Sequence, residues 1–221
     1  SESFDPGLLE WDTDYFWRID EVKADGTQKG MVWSFTAANF FIVDDMEGYN
    51  DLDPADPESN RIFNAWIDGY GDATNGALVG YEQPPFAEQT IVHSGNQSMP
   101  FEYDNAAGKS EATLTLTDRT DWTEKGVSRL TIWYQGKMIN SPEQMYVALN
   151  GSAVVNNDDP EAALAYEWTE WNIDLQAFAD QGVNLSNVNS ITLGVGNRNN
   201  PVAGGGTGML FFDDIRLYVV P

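Results

Sequence analysis

A chain of 221 residues with 42% hydrophobic and 13% aromatic content can bury a full core, and it needs no more than one large all-β domain or one medium domain plus a fragment. Its 35 acidic against 11 basic residues give a formal charge of −24, which repels nucleic acid and anionic lipid surfaces and suits a salty or calcium-containing medium. The absence of cysteine removes disulfides, thiolate catalysis and zinc–thiolate sites together. The longest apolar runs, such as Met209–Phe212 and Leu217–Val220, fall far short of the roughly 20 residues that cross a bilayer. The opening SESFDPG has no basic n-region or apolar h-region, so any secretion signal lies outside this sequence.

Residues 8–36 read as a hairpin. An alternating run from Tyr15 to Val22 is followed by the polar turn KADGTQKG and then by Met31–Phe35. The pattern Thr13-x-Tyr15-x-Trp17-Arg18-Ile19, closed by Trp33-Ser34-Phe35, resembles the last two strands of a fibronectin type III-like domain. That resemblance implies that the Tyr15 hydroxyl makes a corner hydrogen bond to nearby backbone. A two-stranded hairpin is marginal in water and this one is rich in Phe, Trp and Ile, so it is expected to pack on the following domain, on another chain or on a missing half-domain.

From Phe40 onward, short strands alternate with Gly-, Pro-, Asn- and Asp-rich turns, with almost no helical periodicity. Strands are expected over 40–46, 61–67, 77–81, 97–103, 111–117, 128–135, 144–150, 152–156, 169–174, 190–196 and 209–219, with one helical turn within 175–183. The fold class is therefore all-β, a β-sandwich with an extra N-terminal hairpin, divided as residues 1–37 and 38–221. The first and last of these apolar strands each carry an acidic pair, Asp44-Asp45 followed by Glu47, and Asp213-Asp214. Charges within apolar strands need partners, and oxygen-only donors converging from two strands select a hard cation such as calcium.

Four blocks in order carry a further resemblance: Asp44-Asp-Met-Glu-Gly48, Ser128-Arg-Leu-Thr-Ile-Trp-Tyr134, Glu170-Trp-Asn-Ile-Asp-Leu175, and Phe211-Phe-Asp-Asp-Ile-Arg-Leu217. Through them residues 40–220 resemble a jelly-roll carbohydrate-binding module, most similar to family 11 and the wider galactose-binding-like sandwiches. The resemblance implies a structural calcium ion between first and last strands, held by Glu47 and Asp214, with Asp45 and Asp213 as further ligands. One departure stands out: the strand Ser190–Gly196 carries Thr192 and Val195 where family 11 modules tend to carry His and Tyr.

Alternation leaves Trp133 opposite the Leu130/Ile132/Tyr134 face, Tyr146 on the Ala148 face, Trp66 with Asn64, and a glycine-bared face on 190–196. Aromatic platforms with amides and a guanidinium suit sugars, so Trp66, Trp133, Tyr146, Asn197 and Arg198 form the candidate carbohydrate site. The only histidine, His93, has Ser94 and Ser98 near it but no nucleophile-elbow motif, so the chain is read as non-enzymatic. The expected function is a non-catalytic carbohydrate-binding module with structural calcium, in a secreted bacterial protein outside the cell or at its surface. Its partners would be a polysaccharide or oligosaccharide and other domains or subunits, without nucleic acid or membrane insertion. The alternative is a structural module of a surface layer or filament that uses the N-terminal hairpin for subunit contacts.

Overall fold

Apolar residues at alternate positions, as in 169–174 and 190–196, give a strand one face to bury and so favour a layered β-architecture. A computed structural model describes residues 3–7 and 9–220; position 8, where the expected hairpin begins, lies outside them. The chain divides into two units, up to Phe41 and from Ile42.

In the first unit β1 (Asp14–Trp17) pairs antiparallel with β4 (Trp33–Thr36), while β2 (Glu21–Lys23) and β3 (Gly26–Gln28) form a small hairpin between them. Cross-strand register sets Tyr15 against Phe35 and Trp17 against Trp33, and both pairs stack, at ring separations of 5.7 and 4.7 Å. The Tyr15 hydroxyl accepts the Glu10 N–H at 2.8 Å, a bond to backbone a few residues upstream. Phe16, Val32 and Phe35 nevertheless stay exposed.

The second unit opens on β5 (Phe40–Asp44), which spans the boundary. There follow a short helix α1 (Ile62–Ala65), β6 (Trp66–Ile67), β7 (Ala77–Val79), β8 (Met99–Asp104), β9 (Lys109–Thr115), β10 (Arg129–Gln135), β11 (Met145–Leu149) and β12 (Ala153–Asn156). The chain ends through β13 (Thr169–Asp174), helix α2 (Gln176–Ala179), β14 (Ser190–Gly196) and β15 (Thr207–Tyr218). A six-stranded sheet runs β13-β10-β15-β8-β7 with β5 also on β15, and a five-stranded sheet runs β12-β11-β14-β9-β6. Within the expected strand 61–67 the residues Ile-Phe-Asn-Ala instead take one helical turn, so only Trp66–Ile67 extends along β9.

The closing strand organises the larger sheet. β10 lies along Phe211–Tyr218 on one edge and β8 along Thr207–Phe212 on the other, which leaves the rest of that second edge to β5. Inward-facing Leu130, Ile132, Phe212, Ile215 and Leu217 from this sheet and Val147, Leu149, Ile191, Leu193 and Val195 from the other are all fully buried. Each such side chain contributes about 1.5–3 kcal/mol by leaving water. One irregularity breaks the ladder: the register between β10 and β15 shifts between Thr131 and Trp133, and opposite it Asp214 adopts a φ of 46°. This is a β-bulge, and a bulge re-aims the side chain it carries.

Candidate functional site

On the five-stranded sheet, register places Asn156, Tyr146, Gly194 and Glu111 in one row across four strands, on the face that alternation turns away from the core. Gly194 has no side chain because the Tyr146 ring occupies that space; a Cβ there would come within 2.2 Å of ring carbons. The bare face read from β14 is thus filled from within the protein. The Tyr146 hydroxyl donates to Glu111 Oε1 at 2.7 Å, Lys109 Nζ reaches Oε2 at 2.6 Å, and Arg198 Nη1 reaches Oε1 at 2.5 Å. Burial would raise the Glu111 carboxyl, but the bonds from Lys109 and Tyr146 and the charge of Arg198 outweigh it and hold it below the usual range. Arg198 Nη2 also donates to the Gly151 carbonyl at 3.2 Å, so its guanidinium ties the 197–200 loop to two other segments. Beside it lies a 320 Å³ cavity lined by Gln144, Val154, Asn156, Gly196, Asn197, Arg198 and Asn199. Asn197 shapes its rim, with Oδ1 accepting the N–H groups of Asn199 and Asn200.

The expected carbohydrate set therefore divides. Tyr146, Asn197 and Arg198 meet on this sheet, but Tyr146 is 1% exposed and offers no open platform. Trp66 is a correction: it is wholly buried, and its Nε1–H donates to Asp44 Oδ2 at 2.9 Å. Asp44 also accepts from the Tyr49 hydroxyl and from the Met46 N–H, so an indole that alternation placed on a surface serves a buried acid instead. Burial pushes the Asp44 carboxyl up against the pull of those bonds. Trp133 is a second correction, since it lies on the other sheet with the His93 ring stacked on it at 3.8 Å and 16°. Trp168 meets the same imidazole edge-on at 5.7 Å.

The acids expected to hold calcium do converge, around the segment His93–Gln97. Glu47 accepts the Asn96 and Gln97 N–H groups on Oε1, at 2.8 and 3.0 Å, and Asn96 Nδ2 on Oε2 at 2.8 Å. Asp213 accepts the His93 and Ser94 N–H groups on Oδ2, at 3.0 and 3.2 Å, and the Asp214 N–H on Oδ1. Asp214, aimed by the bulge, meets His93 Nδ1 at 2.6 Å through Oδ2 and the Arg216 guanidinium through Oδ1. Asp45 accepts the Glu47 N–H, at 3.2 Å, within its own turn. Burial and the neighbouring Asp214 push the Asp213 carboxyl up to about 7. These residues do not fit a calcium cage: both oxygens of Glu47, Asp213 and Asp214 already face nitrogen donors, and a cation would have to share the cluster with Arg216. Among the described residues no three or more His, Asp or Glu side chains are grouped so as to hold a metal ion.

Sequence reasoning missed Glu111, Lys109, Gln144 and Asn156. The Lys109-x-Glu111 spacing, which puts two opposite charges on one strand face, was the available signal for the first two. Nothing local marked Gln144 or Asn156, which matter only through the cavity they share with the 197–199 loop.

No protein-family model matches the chain, and no curated protein matches it. Among solved structures, the chain is similar to part of an exo-β-agarase, at TM-score 0.52 and 12% identity over 83% of this chain and 25% of that one. It is also similar to a family 11 carbohydrate-binding module from a cellulosomal cellulase of Clostridium thermocellum, at TM-score 0.49 and 15% identity over 84% of this chain and 97% of that one. A family 30 carbohydrate-binding module from another cellulosomal cellulase of that organism matches at TM-score 0.46 and 13% identity, over 66% and 91% of the two chains. At such identities what is shared is the fold: residues 42–220 form a jelly-roll β-sandwich of two packed sheets.

Proposed function

We propose that the second unit binds carbohydrate without catalysis, at the cavity on the outer face of the five-stranded sheet. The observation that carries this is the cavity's lining: three asparagines, one glutamine, one arginine and an apolar Val154, set on rigid strands and one tethered loop. Sugar hydroxyls both donate and accept, and carboxamides offer both roles without charge, while Val154 suits the C–H surface of a pyranose. None of the lining residues is a carboxylate, so the pair that glycoside hydrolysis uses is not in this wall. A polysaccharide-binding role sets the chain outside the cell or at a bacterial surface, as the strong acidity also favours.

Affinity electrophoresis through gels containing agarose, soluble β-glucans and xylan tests the proposal. Retardation by at least one polymer, lost in Asn156→Ala and Arg198→Ala, is expected; equal mobility in every gel overturns it. A second reading, subunit assembly through the first unit, is favoured by the exposed Phe16, Val32 and Phe35 of its hairpin. Light scattering decides it, since a concentration-independent monomer excludes self-assembly.

A further inference from the structure

The carboxylates that sequence reasoning assigned to calcium are neutralised by a different device. We propose that the segment His93–Gln97 and the Arg216 guanidinium together replace a structural cation between the first and last strands, as a latch built from protein donors. A calcium ion in such a position supplies positive charge and satisfies several oxygens from one centre. Here the same work is distributed. The backbone N–H groups of His93 and Ser94 close on Asp213, those of Asn96 and Gln97 close on Glu47, and the His93 ring and Arg216 close on Asp214.

Three structural features show the latch to be fitted rather than incidental. Gly95, at the centre of the segment, has a φ of 69°, and a Cβ there would sit 2.4 Å from Glu47 Oε1, so only glycine lets the backbone approach that closely. Asp214 takes its left-handed conformation at the bulge, which turns its carboxylate to meet both His93 and Arg216. A carboxylate only accepts, so the 2.6 Å approach of His93 Nδ1 requires the proton on that nitrogen, and stacking on Trp133 fixes the ring in that orientation. The base of the segment is tied separately by the backbone pairing of Glu88 with Ser98. Arg216 thus stands where a cation's charge is needed, and each oxygen of Glu47, Asp213 and Asp214 already faces a nitrogen donor.

Thermal unfolding of the whole chain, with millimolar calcium chloride and with excess EGTA, tests this. The expected result is one Tm in both conditions and no binding heat on calorimetric titration with calcium. A Tm that falls in EGTA or rises with calcium overturns the proposal, because a ligand of the folded state must stabilise it by linkage. Arg216→Ala is expected to lower Tm by several degrees and Arg216→Lys to recover part of the loss; an Arg216→Ala protein as stable as the parent also overturns it. If Arg216→Ala does not fold, the calcium and EGTA comparison on the unaltered chain decides alone.

Discussion

The two sheets each carry a buried acid on the outer face, and they satisfy it in opposite ways. On the six-stranded sheet, Asp213 and Asp214 are fully buried: Asp213 is bonded to the backbone N–H groups of His93, Ser94 and Asp214, and Asp214 to the His93 imidazole and the Arg216 guanidinium. On the five-stranded sheet, Glu111 keeps partial exposure and is held by side chains alone: Tyr146, Lys109 and Arg198. Backbone donors are fixed by the fold and cannot turn towards anything else. Lysine and arginine ends can, at little cost, because both remain within reach of water. The first arrangement closes a sandwich, while the second leaves polar groups available beside a cavity.

The largest effect that separates the two is expected from Asp214→Ala. Removing that carboxylate takes the acceptor away from both the His93 ring and the Arg216 guanidinium within a fully buried strand, and losing hydrogen bonds to a charged group costs about 1.5–3 kcal/mol each. The urea midpoint should fall accordingly with an unchanged slope. The charge-removing change on the other sheet, Glu111→Gln, leaves an amide to accept from Tyr146 and lets Arg198 and Lys109 move to solvent. Its stability loss should stay near 1 kcal/mol or below. If the two variants lose equal stability, the distinction between a fixed and a displaceable acid fails.

An intermediate effect is expected from Trp66→Phe, which keeps one aromatic ring of the buried indole but withdraws the N–H from Asp44. A buried acceptor losing one donor costs about 1–3 kcal/mol, measured by the same denaturation. Trp66 also marks the limit of what the sequence discloses. Period-2 alternation sorted β10 and β14 correctly, because Leu130, Ile132, Ile191 and Leu193 are core and that pattern is set by burial alone. It failed at Trp66, because the preceding Ile62–Ala65 turn into a helix and reset the phase of the alternation. The convergence of Glu47 with Asp213 and Asp214 was legible from acids set in apolar strands. What neutralises them was not, because backbone N–H groups have no sequence signature and Arg216 and His93 come from segments whose meeting only the fold determines. The carbohydrate set failed in the same way: alternation assigns a face within one strand but not which sheet the strand joins, so Trp133 was grouped with residues on the opposite side of the sandwich.

A different readout, the pH slope of stability, reports on the loop that carries the latch. Glu88 accepts from the Thr90 N–H and hydroxyl, the Ile91 N–H and the Tyr81 hydroxyl. Burial alone would raise its carboxyl, but these bonds outweigh it and bring it from an ordinary 4.5 down to about 2. A depressed folded-state value means the unfolded chain binds the proton more readily, so the stabilisation is complete above 4.5 and is lost as pH falls towards about 2. Glu88→Gln should flatten the acid limb of a stability–pH curve in that window while leaving the curve above it parallel to the parent. Because Glu88 anchors the base of the segment 88–98 and no group of the cavity wall, polysaccharide retardation at neutral pH should be unaffected. A variant whose acid limb stays as steep as the parent's would assign the slope to other carboxylates and remove Glu88 from the latch's support.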